Sequence, residues 1–414
     1  MKKVSVATEF TIKKPLAILS EEEKSSLDPY MRKIIGYRKT GLSINHIIGC
    51  PLNCGYCVRH FWGNFEDKDP HMLCTDDEAI EKLLNHRYFI PHVTPLQIFN
   101  KATDPFLPSV KPHLFYFLNE LDKRKLTNVM TVITRYRVTK EDVAFLENLK
   151  YLKVTLFITY SGIKDTRIEP IQASGITVNS IKTVTEYKTK LKVVLYWRPI
   201  VPGWNDDEET MQQVLRIGDQ CDAIAFTGYY HRQENMEYLQ SLGVSVPYSD
   251  GHRRKVMPRE LDEKIVKQYQ LSGITTPLFR KTSCAATYVH GLPDYNGHWG
   301  IRELCDICPL EQRKRCSKHH KAPSPSKFKD LLLQYPVSSE SDRFLIEDGH
   351  IWTEKLGEER RYYLQHKLGF QIWDIDWPHY KYSHGRSPIG NKQDQRWYQD
   401  IRKKFYKDIC YEDD

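Results

Sequence analysis

The hydrophobic positions of this chain change period along its length. From Gly41 onward, short apolar runs of strand character alternate with longer stretches in which apolar residues recur at helical spacing. This alternation is typical of a parallel β-sheet whose strands are connected by helices. Six strands are predicted, at Leu42–Ile48, Leu96–Asn100, Asn128–Thr134, Val154–Thr159, Lys192–Trp197 and Ala223–Phe226.

The helical pattern between these strands completes the prediction of an α/β fold. Helices are expected at Val110–Lys125, Glu141–Leu149 and Thr177–Lys188, with Thr177 as the N-cap of the last. Six β/α units predict an incomplete TIM-type barrel, a partial (β/α)6 barrel, and not a closed barrel of eight units. Functional side chains of such barrels lie at the C-terminal ends of the strands.

The regions outside the barrel differ from it in composition. A mixed, charged N-terminal segment precedes the barrel, and a cysteine-rich region, a linker containing proline and a small C-terminal α+β domain follow it. Within the last of these, Thr353–Leu368 has helical character. The predicted boundaries are 1–40 for the N-terminal extension, 41–265 for the barrel, 266–320 for the cysteine-rich region, 321–341 for the linker and 342–414 for the C-terminal domain.

Composition narrows the class of protein. No apolar run is long enough to predict a membrane span, and residues 1–7 lack the pattern of a secretory signal. Ten cysteines in such a chain are expected to bind metal in a reducing compartment, so a cytoplasmic location is predicted. The net charge of +8 permits a polyanionic partner without requiring one.

Cys50, Cys54 and Cys57 form the most informative motif, with the spacing C-x3-C-x2-C directly after the first predicted strand. Three thiolates at this spacing can ligate three irons of a [4Fe–4S] cluster and leave the fourth iron open, whereas an electron-transfer cluster normally has four cysteines. Zinc sites usually combine a C-x2-C pair with a second pair far downstream, which this motif does not match. The other alternative is three neighbouring buried thiols without a ligand.

Further motifs follow the later strands. Thr103-Asp104-Pro105 follows the second strand, Glu169-Pro170 the fourth, and Pro199-x-x-Pro202-Gly203-x-Asn205-Asp206 the fifth. With the three cysteines, this ordered set resembles the radical S-adenosylmethionine (radical SAM) superfamily, in the branch of spore photoproduct lyase and the DNA repair photolyase-like proteins. The resemblance covers about half of the chain, from Gly41 to Gly228.

The resemblance implies a cofactor and a partner. S-adenosylmethionine would bind the open iron, and one electron from an external reductant of the flavodoxin or ferredoxin type would cleave it to a 5′-deoxyadenosyl radical. Tyr56 matches the position of an aromatic side chain against the adenine. Ser161 and Arg198 would contact the carboxylate or ribose, and Thr103 and Asp104 the ammonium group or ribose.

Each of these polar residues also has a structural interpretation. Asp104 before Pro105 is a good turn former, and Arg198 can serve in a structural ion pair. Cys74, close after the cluster loop, is a candidate hydrogen-atom donor, but a lone cysteine is most often a small buried apolar residue. The same holds for Cys221 and Cys410.

A second cysteine group lies after the barrel, with the spacing C-x20-C-x2-C-x7-C. Four thiolates can hold either one zinc ion or a complete [4Fe–4S] cluster, and spacing alone does not decide between them. Because many radical SAM enzymes carry auxiliary clusters, the resemblance favours a second [4Fe–4S] cluster that binds substrate or relays electrons, although spore photoproduct lyases are not expected to have one. His319 and His320 are alternative ligands. The predicted ligands are Cys284, Cys305, Cys308 and Cys316.

The predicted function is therefore that of a radical SAM enzyme. A nucleic acid or nucleotide is the favoured substrate, because of the family branch and because basic and aromatic residues such as Tyr362, Trp373 and Arg386 are interleaved near the C-terminus. Tyr229, Tyr230 and His231 are weaker candidates for the pocket lining. The alternatives are modification of a peptide or protein, and a non-enzymatic, zinc-stabilised nucleic-acid-binding protein.

Overall fold

The computed structural model describes residues 15–171, 175–248, 254–337, 341–347, 349–376 and 395–407. The strands in chain order are β1 (Ile35–Arg38), β2 (Gly41–Ile44), β3 (Ile47–Ile48), β4 (His71–Met72), β5 (Leu96–Ile98), β6 (Val129–Thr134), β7 (Lys153–Tyr160), β8 (Lys192–Ile200), β9 (Ala223–His231), β10 (Arg254–Val256), β11 (Leu278–Phe279), β12 (Phe344–Glu347), β13 (His350–Thr353) and β14 (Ile372–Asp374).

The helices connect and cover these strands. In chain order they are α1 (Glu21–Ser26), α2 (Pro29–Arg32), α3 (Asp76–Leu84), α4 (Lys111–Lys123), α5 (Lys140–Asn148), α6 (Ile176–Tyr187), α7 (Glu208–Gly218), α8 (Gln233–Ser241), α9 (Arg259–Ser272), α10 (Thr282–Tyr288), α11 (Arg302–Cys305), α12 (Leu310–His319), α13 (Pro325–Gln334), α14 (Glu358–Leu368) and α15 (Gln395–Tyr406). No helix of the described residues is both long and apolar enough to cross a bilayer.

A central sheet with mostly parallel strands organises the molecule. Strands β2, β5, β6, β7, β8 and β9 lie side by side in that order, and each neighbouring pair is parallel. β1 pairs antiparallel with β2, while β10 and β11 both pair with β9. The six predicted strands are all present, and the predicted mixed α/β class is confirmed.

Side chains that alternate along the strands build an apolar layer on each face of this sheet. Leu156 and Ile158 of β7 belong to the main core, while Phe157 between them belongs to a second cluster. Ala285 and Ala286 of α10 pack into that second cluster. Because successive side chains of a strand point to opposite faces, α10 lies on the face opposite the main core.

Several predicted element bounds need correction. The first predicted strand, Leu42–Ile48, is two short strands, β2 and β3, and they pair with different partners. Tyr229, Tyr230 and His231 lie within β9 and do not follow it. The N-cap of α6 is Gly175, with φ 66°, and Thr177 instead donates its hydroxyl to the Arg135 carbonyl at 3.0 Å.

Described segments on either side of the parallel strands also contact the central sheet and its core. β1, within the predicted extension 1–40, is an edge strand of the central sheet. The predicted linker 321–341 contains α13, whose Phe328 and Leu332 are buried in the main core. Helix α14 of the predicted C-terminal domain packs against β1.

The described part of 342–414 contains a three-stranded sheet of β12, β13 and β14, together with α14 and α15. Trp352 and Trp373 are buried there in a small apolar cluster. Cys410, His379, His384 and Arg386 lie outside the described residues.

Candidate functional site

The loop that carries the first three cysteines is held in place by its own backbone and by a buried arginine. The backbone N–H of Cys50 donates to the Asp67 carbonyl at 3.0 Å. Arg59, only 1% exposed, donates to the carbonyls of Asp67 at 2.8 Å and Leu52 at 3.1 Å. The conformation of the loop therefore rests on contacts within the protein, which pre-organises its thiols.

Two glycines allow this loop its close approaches. Gly49 has φ 92°, and a Cβ at this position would lie 2.1 Å from the Asp69 carbonyl oxygen. A Cβ on Gly55 would lie 2.5 Å from a methyl carbon of Leu239 in α8. A larger residue at either position would push the cysteine loop away from its neighbours.

The three cysteines line one cavity of about 100 Å³ at the carboxyl ends of the parallel strands. Cys50 and Cys54 are buried and Cys57 is partly exposed. No fourth cysteine lines this cavity within the described part of the chain. Polar residues at or after the ends of four strands also line it, among them Asn100, Thr103, Asp104, Thr134, Arg135, Thr159 and Arg198.

The spacing of the three sulfur atoms bears on what they could hold. A zinc ion with sulfur ligands at about 2.3 Å brings those sulfurs to within roughly 4 Å of one another. Among the described residues, the three thiols of this loop do not come within 4.8 Å of one another as a group. At least two of these sulfur atoms therefore lie farther apart than two sulfur ligands of one zinc ion would.

Burial raises the pKa of Cys50 to about 11 and raises that of Cys54 further. These thiols therefore stay protonated at neutral pH until a metal displaces their protons.

Asp104 is a structural acceptor at the edge of the cavity. Its carboxylate accepts the Thr134 hydroxyl at 2.6 Å and the backbone N–H groups of Arg135 and Phe106 at 2.9 Å. It thereby ties the loop after β5 to the end of β6, as the turn interpretation predicts. Thr103 differs, because its hydroxyl is buried without a hydrogen-bond partner among the described residues and so can serve a ligand.

Tyr56 is held in a buried polar group that the sequence analysis did not identify. Arg135 forms an ion pair with Glu169 at 2.6 Å, and the Tyr56 hydroxyl hydrogen-bonds both of them. The Glu169 carboxylate oxygen that pairs with Arg135 also lies 3.8 Å from the sulfur of Cys54. Burial raises the pKa of the Tyr56 hydroxyl well above its usual range. The positive charge of Arg135 opposes this shift, and the negative charge of Glu169 adds to it. The phenol therefore remains protonated beside the thiols.

The two predicted cofactor contacts Ser161 and Arg198 behave differently. Ser161 is fully buried, its hydroxyl accepts the Ile163 N–H at 3.1 Å, and it does not line the cavity. Arg198 lines the cavity, and its guanidinium carbon lies 4.9 Å from the centre of the Tyr196 ring, within the limit of about 6 Å for a cation–π contact. Within the described residues it makes no ion pair, which leaves its charge available for an anionic ligand.

Cys74 is not part of this cavity. It is buried in the main core after β4, and burial raises the pKa of its thiol to about 11. Cys221 is likewise a core residue, with a pKa raised to about 12. Both have the character of small apolar residues, and the structure does not bring Cys74 to the cysteine loop.

The second cysteine group does converge. Cys284 of α10, Cys305 of α11, Cys308 and Cys316 of α12 line one smaller cavity of about 20 Å³. Burial raises the pKa of Cys305 to about 11 and that of Cys308 to about 12.

Two further potential ligands, which the sequence analysis missed, line the same small cavity. His298 donates from Nδ1 to an Asp294 carboxylate oxygen at 2.7 Å, and both residues are buried. Burial would raise the pKa of Asp294, but the charge and hydrogen bonds of His298 hold it below its usual range. The only signal in the sequence is the Asp-x3-His spacing within a loop rich in glycine and aromatic residues.

The predicted alternative ligands lie elsewhere. His319 and His320 line a neighbouring cavity of about 320 Å³, and the His320 ring stacks on Phe370 at 4.5 Å. That neighbouring cavity is also lined by Val129 and Lys153, at the amino ends of β6 and β7. The second cysteine group, which borders it through Cys316, is therefore remote from the carboxyl ends where the first group lies.

Comparison with known proteins gives similarity at the level of the backbone alone. No family model matches the chain, and no curated protein matches it. A spore photoproduct lyase variant with bound AdoMet and dinucleoside spore photoproduct is 13% identical, with a TM-score of 0.44 over 60% of this chain and 78% of that one.

SuiB from Streptococcus suis bound to S-adenosylmethionine is also 13% identical, with a TM-score of 0.41 over 63% of this chain and 55% of SuiB. SuiB bound to its precursor peptide SuiA is 14% identical, with the same TM-score and coverage. The chain thus spans little more than half the length of SuiB.

Proposed function

We propose that this chain is a radical SAM enzyme built on a partial (β/α)6 barrel. Cys50, Cys54 and Cys57 would hold a [4Fe–4S] cluster whose fourth iron is open to S-adenosylmethionine. The observation that carries the proposal is a set of three thiols, joined by no fourth from the described residues, that line one cavity at the carboxyl ends of parallel strands. An unligated position is the mark of a metal centre that binds a reactant.

Held by Cys50, Cys54 and Cys57, such a cluster would supply the one-electron reductive cleavage of S-adenosylmethionine that starts radical chemistry on a substrate. The residues of the chain would bind and orient the cofactor. Arg198, which has no carboxylate partner, would pair with the methionine carboxylate of the cofactor. The Thr103 hydroxyl, buried without a partner, would hydrogen-bond the ammonium group or ribose.

The Arg135–Glu169 pair would keep Tyr56 in position beside the thiols. Because this group is buried and internally hydrogen-bonded, it excludes water from one side of the cysteine loop. Tyr56 would then present its ring to the adenine with its hydroxyl already satisfied.

The proposed substrate is a nucleic acid or nucleotide, and the electron would come from a flavodoxin or ferredoxin type of reductant. The strand-end motifs of the spore photoproduct lyase branch and the net charge of +8 support this substrate class. A peptide or protein substrate is the alternative. Binding to an oligonucleotide that weakens steeply between 50 and 200 mM salt would favour the nucleic acid.

The central test is to count iron and assay cofactor cleavage in the same anaerobic samples. The reconstituted protein should contain at least four irons per chain and, with dithionite, convert S-adenosylmethionine to 5′-deoxyadenosine. The triple variant Cys50→Ala/Cys54→Ala/Cys57→Ala should lose four irons and all cleavage. The matched control is Cys74→Ala/Cys221→Ala, which removes two buried cysteines outside the cavity and should retain both. Wild-type protein that binds zinc at the loop and cleaves nothing would favour the non-enzymatic binding protein.

A further inference from the structure

Three different kinds of metal-binding side chain converge in the small cavity after the barrel. Cys284, Asp294 and His298 line it, and each contributes one potential ligand atom to a group in which all three atoms lie within 4.8 Å of one another. Asp294 is 7% exposed and His298 is 2% exposed. Among the described residues, no other cysteine, histidine or acidic side chain joins this compact group. The thiols of the first cysteine group do not meet the same spacing criterion.

The distances within the compact group suit the ligands of one ion. The Cys284 sulfur lies 3.9 Å from Nδ1 of His298, and this nitrogen lies 2.7 Å from an Asp294 carboxylate oxygen. Zinc bonds of about 2.0–2.2 Å to nitrogen or oxygen and about 2.3 Å to sulfur place tetrahedral ligands roughly 3.3–3.6 Å apart. Changes of roughly 0.3–0.6 Å in the two distances would therefore bring these atoms to one ion.

The charges of the compact group match a divalent cation. A thiolate at Cys284 and the carboxylate of Asp294 carry two negative charges, and the imidazole of His298 is a neutral ligand. One divalent ion would therefore leave this buried site without net charge, which avoids the cost of burying an uncompensated charge. Four thiolates around the same ion would leave two excess negative charges.

Two other thiols of the cavity contact the backbone of the compact group. The backbone N–H of Asp294 donates to the sulfur of Cys316 at 3.4 Å, and the thiol of Cys305 donates to the His298 carbonyl at 3.5 Å. Neither contact involves a side-chain atom of Asp294 or His298. These two thiols therefore hold the loop that carries both side chains, as outer-shell partners of a metal site do.

We propose that this cavity binds a single Zn²⁺ through the Cys284 sulfur, an Asp294 carboxylate oxygen and Nδ1 of His298, with one water as the fourth ligand. Sulfur, nitrogen and oxygen of these residue types are all zinc ligands, and a cavity of about 20 Å³ has room for one water. On binding, Cys284 would release its thiol proton to solvent. The hydrogen that Nδ1 donates to Asp294 would move to Nε2, which has no hydrogen-bond partner among the described residues.

This ligand set differs from the one that the cysteine spacing predicts. The single ion takes the place of the second [4Fe–4S] cluster that the family resemblance favours, and the C-x2-C pair of Cys305 and Cys308 supplies no ligand. The inference is independent of the proposed radical chemistry, because the cavity is remote from the first cysteine group.

The test uses the full chain with the first cysteine group removed. The Cys50→Ala/Cys54→Ala/Cys57→Ala variant, purified anaerobically from cells supplied with both iron and zinc, should contain one zinc and no iron per chain. Zinc-edge X-ray absorption should find one sulfur at about 2.3 Å and three nitrogen or oxygen atoms at about 2.0–2.2 Å. A zinc-free protein, about four irons per chain, or a shell with two or more sulfurs would overturn the proposal.

Substitutions then distinguish the two ligand sets. In the same background, Cys284→Ala and His298→Gln should each weaken zinc affinity by more than about 100-fold, beyond the roughly 10–100-fold loss typical of an outer-shell partner. The matched control is Cys308→Ala, which removes a thiol of the same cavity outside the compact group and should retain full zinc. Loss of zinc from Cys308→Ala with preserved circular dichroism would contradict the assignment, and so would full zinc in His298→Gln. If a variant does not fold, the absorption data on the protein with its native ligands still decide.

Discussion

Arg198 and Ser161 show how much the fate of a single side chain depends on its surroundings. Ser161 directly follows β7 and Arg198 lies near the carboxyl end of β8, and the family resemblance implies a cofactor contact for both. Arg198 lines the cavity and has no ion-pair partner among the described residues. Ser161 is buried in the turn after β7, where its hydroxyl accepts the Ile163 N–H. Only the first is free to bind a cofactor.

This difference predicts opposite results for two substitutions. Arg198→Ala should weaken S-adenosylmethionine binding by roughly 10–100-fold, since a hydrogen bond to a charged group contributes about 1.5–3 kcal/mol. Iron content should not change. Ser161→Ala should leave the affinity within about two-fold. Titration calorimetry on the reconstituted proteins measures both, and equal losses in the two variants would show that Ser161 contacts the cofactor after all.

The roles that the sequence analysis did not predict share one property. Arg135, Asp294, His298 and Glu169, the last noted only as part of a family motif, acquire their roles from partners that are distant in the chain or placed by a loop. Glu169 lies 34 positions after Arg135, and nothing in the local pattern predicts their contact. The cysteine spacing, in contrast, is local information that a sequence displays directly.

At the scale of elements, the cysteine loop depends on backbone geometry that only glycine adopts. Gly49 combines a left-handed φ with a backbone carbonyl 2.1 Å from the position of a Cβ, so two separate constraints exclude a side chain. Gly63, at the end of the short helix at Val58–Trp62, has φ 66° but open space around its Cβ position. A substitution at Gly63 would therefore meet only backbone strain, whereas one at Gly49 would meet both backbone strain and steric overlap.

Gly49→Ala should therefore prevent correct formation of the loop. We expect a loss of more than about 3 kcal/mol of stability or failure to incorporate iron, because a Cβ would overlap the Asp69 backbone. Gly63→Ala should cost only about 1 kcal/mol. Urea unfolding and iron content of the two variants provide the comparison. Normal iron loading in Gly49→Ala would mean that the loop tolerates the displacement.

Helix α13 shows where an element could have been predicted and was not. Ser324 followed by Pro325 is a helix start, with a side chain that accepts the Lys327 N–H and a proline in the first turn. Phe328 and Leu332, four positions apart, form its buried face. The prolines and serines at the start of α13 suggested a linker. Ser324 and Pro325, however, occupy the N-cap and the first turn of the helix.

At the scale of the whole molecule, the two ends of the described chain meet at His366. Its Nε2 lies 2.9 Å from the Lys39 carbonyl, which can only accept, so this nitrogen carries the hydrogen. Its Nδ1 then accepts the Tyr37 hydroxyl at 3.0 Å. The neutral ring thus links α14 to β1, and burial lowers its pKa to about 3.

The lowered pKa predicts acid sensitivity. The unfolded chain takes up this proton near pH 6.5, whereas the folded chain resists it until about pH 3. The stabilisation is complete above about pH 6.5 and declines as the pH falls, by up to about 1.4 kcal/mol per pH unit.

Urea unfolding of wild type and His366→Gln between pH 7.5 and 4.5 tests this sign. The variant should be less stable at pH 7.5 but lose stability less steeply on acidification. His92→Gln, at an exposed histidine, is the control and should follow the wild-type slope. Parallel pH profiles for wild type and His366→Gln would show that His366 does not carry the acid response.

The sequence by itself determined the α/β class, six parallel strands and the two groups of cysteines, because periodicity and short-range spacing are local properties of a chain. Tertiary structure decided the rest. It placed Ser161 inside a turn and Cys74 in the core, brought Glu169 to Arg135, and added His298 to the second group of thiols. Such outcomes depend on which distant segments share a buried volume, and a buried polar group must find its partner there, whatever its position in the sequence.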